Sequence, residues 1–337
     1  MTRTRLLIVH TGSLRTTLAL MALLGVVVLA GSATGEVPGL GVALALLLLG
    51  LNLLAALVVH PAFRRRLPLL VFHLALLALV LLVGWGRLAS IGGRFELAEG
   101  VPFDGRLIDG ERGALYRGGL ERLSFRHQGF EIDYAPGRRR GATRNQVAWT
   151  DALGRAQTAT IGDHRPLVLD GHRITTSPNK GFAPILHWQP GRGEPVLGAV
   201  HLPSYPMHEL RQSREWTLPD GRTAWVQLQF DETLIDPQSA GRFRLPQQHR
   251  LVLRVDGQRH ELAPGEWADL GGGRIGYVRL GTWMGYRVSH DPSLPWLLAA
   301  SLVAGFALLW HYVSTAPARP QAARAPARWP REEVRHG

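Results

Sequence analysis

Fourteen histidines and no cysteine set the chemistry open to this chain of 337 residues. Without a thiol there is no disulfide scaffold, no thiolate nucleophile, no cysteine-ligated zinc and no CxxC redox pair. Three of the histidines belong to long apolar runs. His73 lies within Leu69-Leu-Val-Phe-His-Leu-Ala-Leu-Leu77, His60 closes the run before it, and His311 comes near the end of the last one. A titratable group inside hydrocarbon is costly and marks a functional position, unless a neighbouring helix satisfies it by a hydrogen bond. Neutral imidazole is the usual axial ligand of haem iron, and nearby arginines suit haem propionates. His73 is therefore the leading candidate ligand. His60 and His311 are secondary, because polar residues at span ends also serve as interfacial caps.

The other histidines carry less. His164, His172, His187, His201 and His208 fall in the central sequence with Met207 and could offer iron or metal ligands, although surface and turn positions account for most histidines of this kind. His201 and His208 are separated by a proline-containing loop and lack the helical i, i+4 spacing of a zinc pair, and there is no HExxH. Serines occur without a GxSxG elbow. Gly271-Gly-Gly273 has no strand-loop-helix context and reads as a hairpin turn, not a phosphate loop. No catalytic residue and no metal site emerge, so the expectation is a protein that is not an enzyme.

Two unlike populations of sequence must position these residues. Four stretches approach the roughly 20 apolar residues that cross a bilayer: about Leu14–Gly31, Leu40–Val59, Leu67–Leu88 and Leu294–Val313, all free of acidic residues. The first also resembles a secretory signal, with Arg3 and Arg5 ahead of it and Ala30-Gly-Ser-Ala33 as a cleavage-like site. Arginines precede the first span (Arg3, Arg5, Arg15), separate the second from the third (Arg64, Arg65, Arg66) and follow the fourth (Arg319 to Arg335), whereas Ser32–Pro38 has none. The positive-inside rule then places both termini in the cytoplasm of a bacterial cell, with the chain multi-pass in its inner membrane and the segment between spans three and four periplasmic. Trp85, Trp296 and Trp310 fall where interfacial anchors belong.

The organisation expected is a three-span membrane domain over residues 1–88, an extracytoplasmic domain over 89–292, the fourth span over 293–315, and a disordered basic tail over 316–337 that meets anionic lipid headgroups. The net charge of +12 comes almost wholly from arginine, Lys180 being the single lysine. With no aromatic platform and no basic recognition helix among those arginines, nucleic acid is excluded as a partner.

Between Arg94 and Asp291 short alternating runs such as Phe130–Tyr134, Ala224–Phe230 and Leu251–Val255 are divided by Pro136-Gly137, Asp170-Gly171, Pro219-Asp-Gly221 and Asp256-Gly257. That pattern predicts an all-β domain, an antiparallel sandwich or open barrel, and the lack of a long amphipathic helix excludes a Rossmann-type domain.

A family resemblance runs over most of the length. It opens with Gly12-Ser-Leu-Arg15 at the first span and Phe72-His73-Leu74 in the third. Phe95-Glu-Leu-Ala-Glu-Gly100, Gly181-Phe-Ala-Pro184 and Val288-Ser-His-Asp-Pro292 follow in the polar middle. In this order they make the chain resemble the ResB (CcsB) proteins of cytochrome c biogenesis, partners of ResC or CcsA in the System II haem attachment machinery. The resemblance implies a subunit that helps move haem outward for attachment to CxxCH sites of apocytochrome c, with His73 matching the family's third-span histidine. The polar domain is compact for that family, and the chain lacks the partner's tryptophan-rich presenting segment and external histidines, so attachment requires the ResC-type partner and a second axial ligand from it. A different class of function is also open: a membrane-anchored β-domain acting as a scaffold for an envelope complex, without haem. A transporter subunit fits less well, since the spans hold no acidic residue and no paired broken helices.

Overall fold

The computed structural model describes residues 10–34, 38–162 and 164–315. The sequence readings that concern Arg3, Arg5, the centre of the loop after the first span, and the tail from residue 316 fall outside these residues. The chain divides into two compact units, residues 1–85 with 293–337, and residues 86–292.

The first unit is helical. Helices α1 (Leu14–Thr34), α2 (Gly39–Val59), α3 (Leu67–Ala89) and α4 (Leu294–Thr315) are each long and apolar enough to cross a membrane, and the chain is a multi-pass membrane protein. Their side chains are apolar around the whole circumference, and Leu18, Val26, Leu44, Val58, Leu298 and Phe306 are exposed, as residues facing lipid must be. A single turn at Pro61–Arg64 joins α2 to α3. Pro61 starts that turn, and His60 before it is extended, as a residue preceding proline prefers.

The second unit is antiparallel β throughout its ladders. In chain order the strands are β1 (Ile91–Ala98), β2 (Asp109–Arg112), β3 (Phe125–Ala135), β4 (Arg139–Thr150), β5 (Ala156–Ile161), β6 (Leu167–Leu169), β7 (His172–Pro190), β8 (Val196–Ala199), β9 (Ser213–Thr217), β10 (Thr223–Gln229), β11 (Gly241–Arg242), β12 (Arg250–Val255), β13 (Gln258–Leu262), β14 (Trp267–Asp269) and β15 (Gly273–His290). They form three sheets. One has seven strands in the order β2-β1-β15-β7-β6, with β14 on β15 and β8 on β7; the others run β13-β12-β10-β9 and β11-β3-β4-β5. None closes into a barrel.

The turn signals fall where expected. Asp170-Gly171 joins β6 to β7 and Asp256-Gly257 joins β12 to β13, both residues of each pair having positive φ, the conformation a tight two-residue hairpin requires. Gly271-Gly-Gly273 turns β14 into β15. The two longest strands, β7 and β15, pair over nearly their full length, with register shifts between Tyr277 and Arg279 and between Met284 and Tyr286, where a bulge bends the strand and sharpens its twist. Alternate residues of all three sheets fill one core, in which Phe95 stacks on Tyr286 at 5.2 Å and meets Phe103 at a tilt, 4.2 Å away.

The strand that follows α3 and the strand that precedes α4 are direct partners, Ile91 facing His290. At the start of β1 the chain doubles back: Leu115 donates its N–H to the Leu88 carbonyl and Gly113 donates to Ser90. These bonds satisfy carbonyls that the last turn of a helix leaves unpaired. Gly113 is required there, since a Cβ would stand 2.2 Å from the Leu88 oxygen.

Candidate functional site

In the membrane unit His73 is half-buried on α3, with its Nδ1 2.7 Å from the Leu69 carbonyl. A carbonyl only accepts, so Nδ1 carries the proton and Nε2 holds the lone pair. The partner is one turn back on the same helix, not on a neighbouring helix as the non-functional reading of His73 required, because the i−4 carbonyl lies within reach of the imidazole. Phe63 packs on His73 at 4.5 Å and Phe72 meets it edge-on at 5.3 Å. His60 ends α2, is exposed, and touches Phe63 edge-on at 6.3 Å, so Phe63 lies between the two histidines. His311 stands apart on α4 beside Tyr312, and its Nδ1 is buried without a partner among the described residues.

The first-span motif packs helices together. Gly12 lies against the α2 backbone so closely that a Cβ would be 2.8 Å from the Ala56 nitrogen. Asn52 of α2, buried among apolar neighbours, accepts from the Thr17 hydroxyl at 2.7 Å and donates to the Thr11 and Ser13 carbonyls. Sequence reading passed over Asn52, the one amide in that span, although its isolation among leucines was the available signal.

In the β unit two of the quoted motifs lie on strands that flank β15, Phe95–Gly100 on β1 and just beyond it, and Gly181–Pro184 on β7, with residues 280–286 of β15 between them. Both glutamates of the first motif end on histidine networks. Glu96 accepts from His201 Nδ1 at 3.0 Å, and the His201 ring lies parallel to Trp283 at 5.3 Å. Trp283 is itself fixed by its indole N–H, which donates to the Leu202 carbonyl at 2.8 Å. Gly181 has to lack a side chain because a Cβ would sit 2.9 Å from that indole nitrogen.

Glu99 anchors the second network. It accepts from Arg279 at 3.1 Å and from the Thr282 hydroxyl at 3.2 Å; Thr282 accepts from His127 Nε2 at 3.0 Å. The other His127 nitrogen accepts from the Asn145 amide at 2.7 Å, and Asn145 in turn accepts from the Tyr286 hydroxyl at 2.7 Å. His127 has no exposed surface. Burial, helped by the neighbouring His201, pushes its pKa down to about 3, so the ring is neutral. The Tyr286 hydroxyl is pushed far up by the same burial.

The third motif places His290 at the end of β15. Its Nδ1 donates to the Gly171 carbonyl at 2.9 Å, and its ring stacks on His172 at 4.7 Å. His172 accepts from the Tyr116 hydroxyl at 2.7 Å, and burial, with His290 beside it, lowers its pKa. The central histidines therefore do not converge. His172 joins Tyr116, His187 tilts against Trp267 at 5.3 Å, His201 joins Glu96, and His164, His208 and Met207 are exposed. Among the described residues no three histidine or carboxylate groups are placed to hold a metal ion. His127 and His290 were missed as network members because their partners lie far away in sequence.

These features define a multi-pass membrane protein bearing an antiparallel β unit with buried imidazole networks. No protein-family model matches the sequence, and no curated protein matches it. Among solved structures the chain is similar to one described as cytochrome c heme lyase CcmF, at 15% identity and a TM-score of 0.25. That likeness covers 88% of this chain and 34% of the other, so the chain spans about a third of the length of the protein it matches.

Proposed function

We propose that the chain is a ResB-like membrane subunit of a haem delivery and cytochrome c maturation complex, working with a ResC or CcsA-type partner on apocytochrome c. The reading rests on His73. A half-buried imidazole on a membrane-spanning helix has its Nδ1–H tied to a backbone carbonyl and its Nε2 lone pair unclaimed among the described residues. That is the tautomer and orientation an axial ligand needs. The donor set fits haem: one imidazole nitrogen, two phenylalanine rings against it, and Arg64, Arg65 and Arg66 in the adjoining turn for carboxylates. Haem brought to this position supplies the group that is attached to the cytochrome, and this chain's part is to hold and orient it. The second axial position belongs to the partner, and the protein is an assembly factor with no catalytic residue of its own. The β unit faces the periplasm in this reading, where it docks the partner or the apocytochrome.

The test is the visible absorption spectrum of the detergent-purified complex with a ResC-type partner, wild type against His73→Ala at equal yield. A Soret band that is lost in the variant supports ligation. Identical haem in both, or none in the wild type, overturns it and leaves the β-domain scaffold as the better reading.

A further inference from the structure

The seven-stranded sheet ends on β8, an edge strand unlike most of the others. The edges β2, β5, β9, β11, β13 and β14 carry charged, amide or hydroxyl side chains, which keep an open backbone from pairing with other chains. β8 is Val196-Leu-Gly-Ala199, with no polar side chain, and Leu197 is 65% exposed. Among the described strands only the three-residue β6 shares that composition, and Pro166 and the Asp170-Gly171 turn close it in. Hydrogen bonds fix which groups of β8 are open. Just beyond the strand Val200 and Leu202 donate to Pro184 and Phe182 of β7 at 3.1 Å, and bonded residues alternate along an antiparallel ladder. Val196 and Gly198 therefore bond to β7. The N–H and C=O of Leu197 and Ala199 point away from it and have no partner among the described residues.

Clefts border both ends of this open edge. One of about 400 Å³ lies between Ala199–His201 and β9, itself an edge strand, and Arg214 reaches across to the His201 carbonyl at 2.6 Å. The other, of about 720 Å³, lies between Val196 and the β9–β10 turn at Pro219-Asp220. Arg192 and Arg214 in their walls are matched by Glu194, Glu215 and Asp220, so the lining favours neither a phosphate nor a cation. An uncharged main chain suits it. We infer that β8 is a docking edge for an extended, uncharged segment of a partner protein, which joins the seven-stranded sheet as a further strand on the side facing β9. The open groups of Leu197 and Ala199 bind its main chain, and Val196 and Leu197 select apolar side chains along it. The inference goes beyond haem handling and does not rest on it, being read from backbone groups and edge composition.

The experiment is binding of a short fluorescein-labelled peptide of alternating valine and threonine to the full-length detergent-solubilised chain, followed by anisotropy. Saturable binding is expected. Leu197→Pro removes an open N–H without touching the ladder to β7, as an edge position tolerates, and Leu197→Lys places a charge on the edge. Each should weaken binding about tenfold, the scale of one or two hydrogen bonds, whereas Val168→Lys on β6 leaves it unchanged. The same peptide N-methylated at every residue should not bind the wild type, a result that stands even where Leu197→Pro fails to fold. No saturable binding, equal binding of the N-methylated peptide, or equal binding by the Leu197 variants overturns the inference. So does a chain that takes no peptide and forms a dimer that Leu197→Lys dissociates, since the edge then belongs to a second copy. No haem enters this measurement, so its failure and that of the His73 reading are told apart.

Discussion

His127 is wholly buried, accepts from Asn145 and donates to Thr282, and its pKa of about 3 lies well below the 6.5 of a free imidazole. The unfolded chain therefore takes up a proton at this site below pH 6.5 that the folded chain refuses until about pH 3. Stability from this group is complete above pH 6.5 and falls as the pH drops through that window. By pH 4 the loss is roughly 3 kcal/mol. Thermal melts of the solubilised chain followed by circular dichroism should show it, and His127→Gln should flatten the acid slope while costing about 2 kcal/mol at pH 7 through the broken buried network. Equal acid slopes in the two proteins would remove His127 as the cause. Nothing in the sequence pointed to this residue. Phe125-Arg-His-Gln reads as an ordinary alternating strand, and the partners Asn145 and Tyr286 come 18 and 159 residues later. His73 was legible because hydrocarbon makes any imidazole conspicuous, whereas a polar strand hides one.

At the scale of elements, the spans could be read because twenty apolar residues have few other uses, and the hairpins because Asp170-Gly171 and Asp256-Gly257 supply positive φ cheaply. The pairing of β15 with both β1 and β7 could not be read, since alternation reveals a strand's buried face and not its neighbours. Helix association was equally hidden, and it rests on small and polar residues. Asn52→Leu removes the amide that holds Thr17 and Ser13, and a single interhelical bond in a membrane contributes about 0.6–1.7 kcal/mol. Unfolding of the variant in micelles of increasing SDS fraction should begin earlier by that amount, and an unchanged midpoint would deny the amide a role in joining α1 to α2. Gly113→Ala should be worse, because its methyl would meet the rigid Leu88 carbonyl at the end of α3. In the same titration a loss above about 2 kcal/mol is expected, in line with other backbone clashes that have no flexible neighbour to yield.

For the whole molecule the property that tests the proposed role is which side of the membrane the β unit occupies, since the outward haem delivery proposed above requires that unit outside. Arginines bias orientation because positively charged loops are held on the cytoplasmic side. Arg64, Arg65 and Arg66 between α2 and α3 are the clearest such group among the described residues, and with that loop held in the cytoplasm the single span α3 would carry the β unit to the opposite face. The absence of cysteine makes this measurable without any background substitution. Leu153, 75% exposed in the turn between β4 and β5, and the exposed Arg65 can each be replaced by cysteine with little structural cost. In intact cells whose outer barrier admits it, a membrane-impermeant maleimide should label Leu153→Cys and spare Arg65→Cys, with both labelled once the membrane is opened. The inverse pattern would put the β unit in the cytoplasm. That outcome would remove the direction from the haem delivery proposed for this chain.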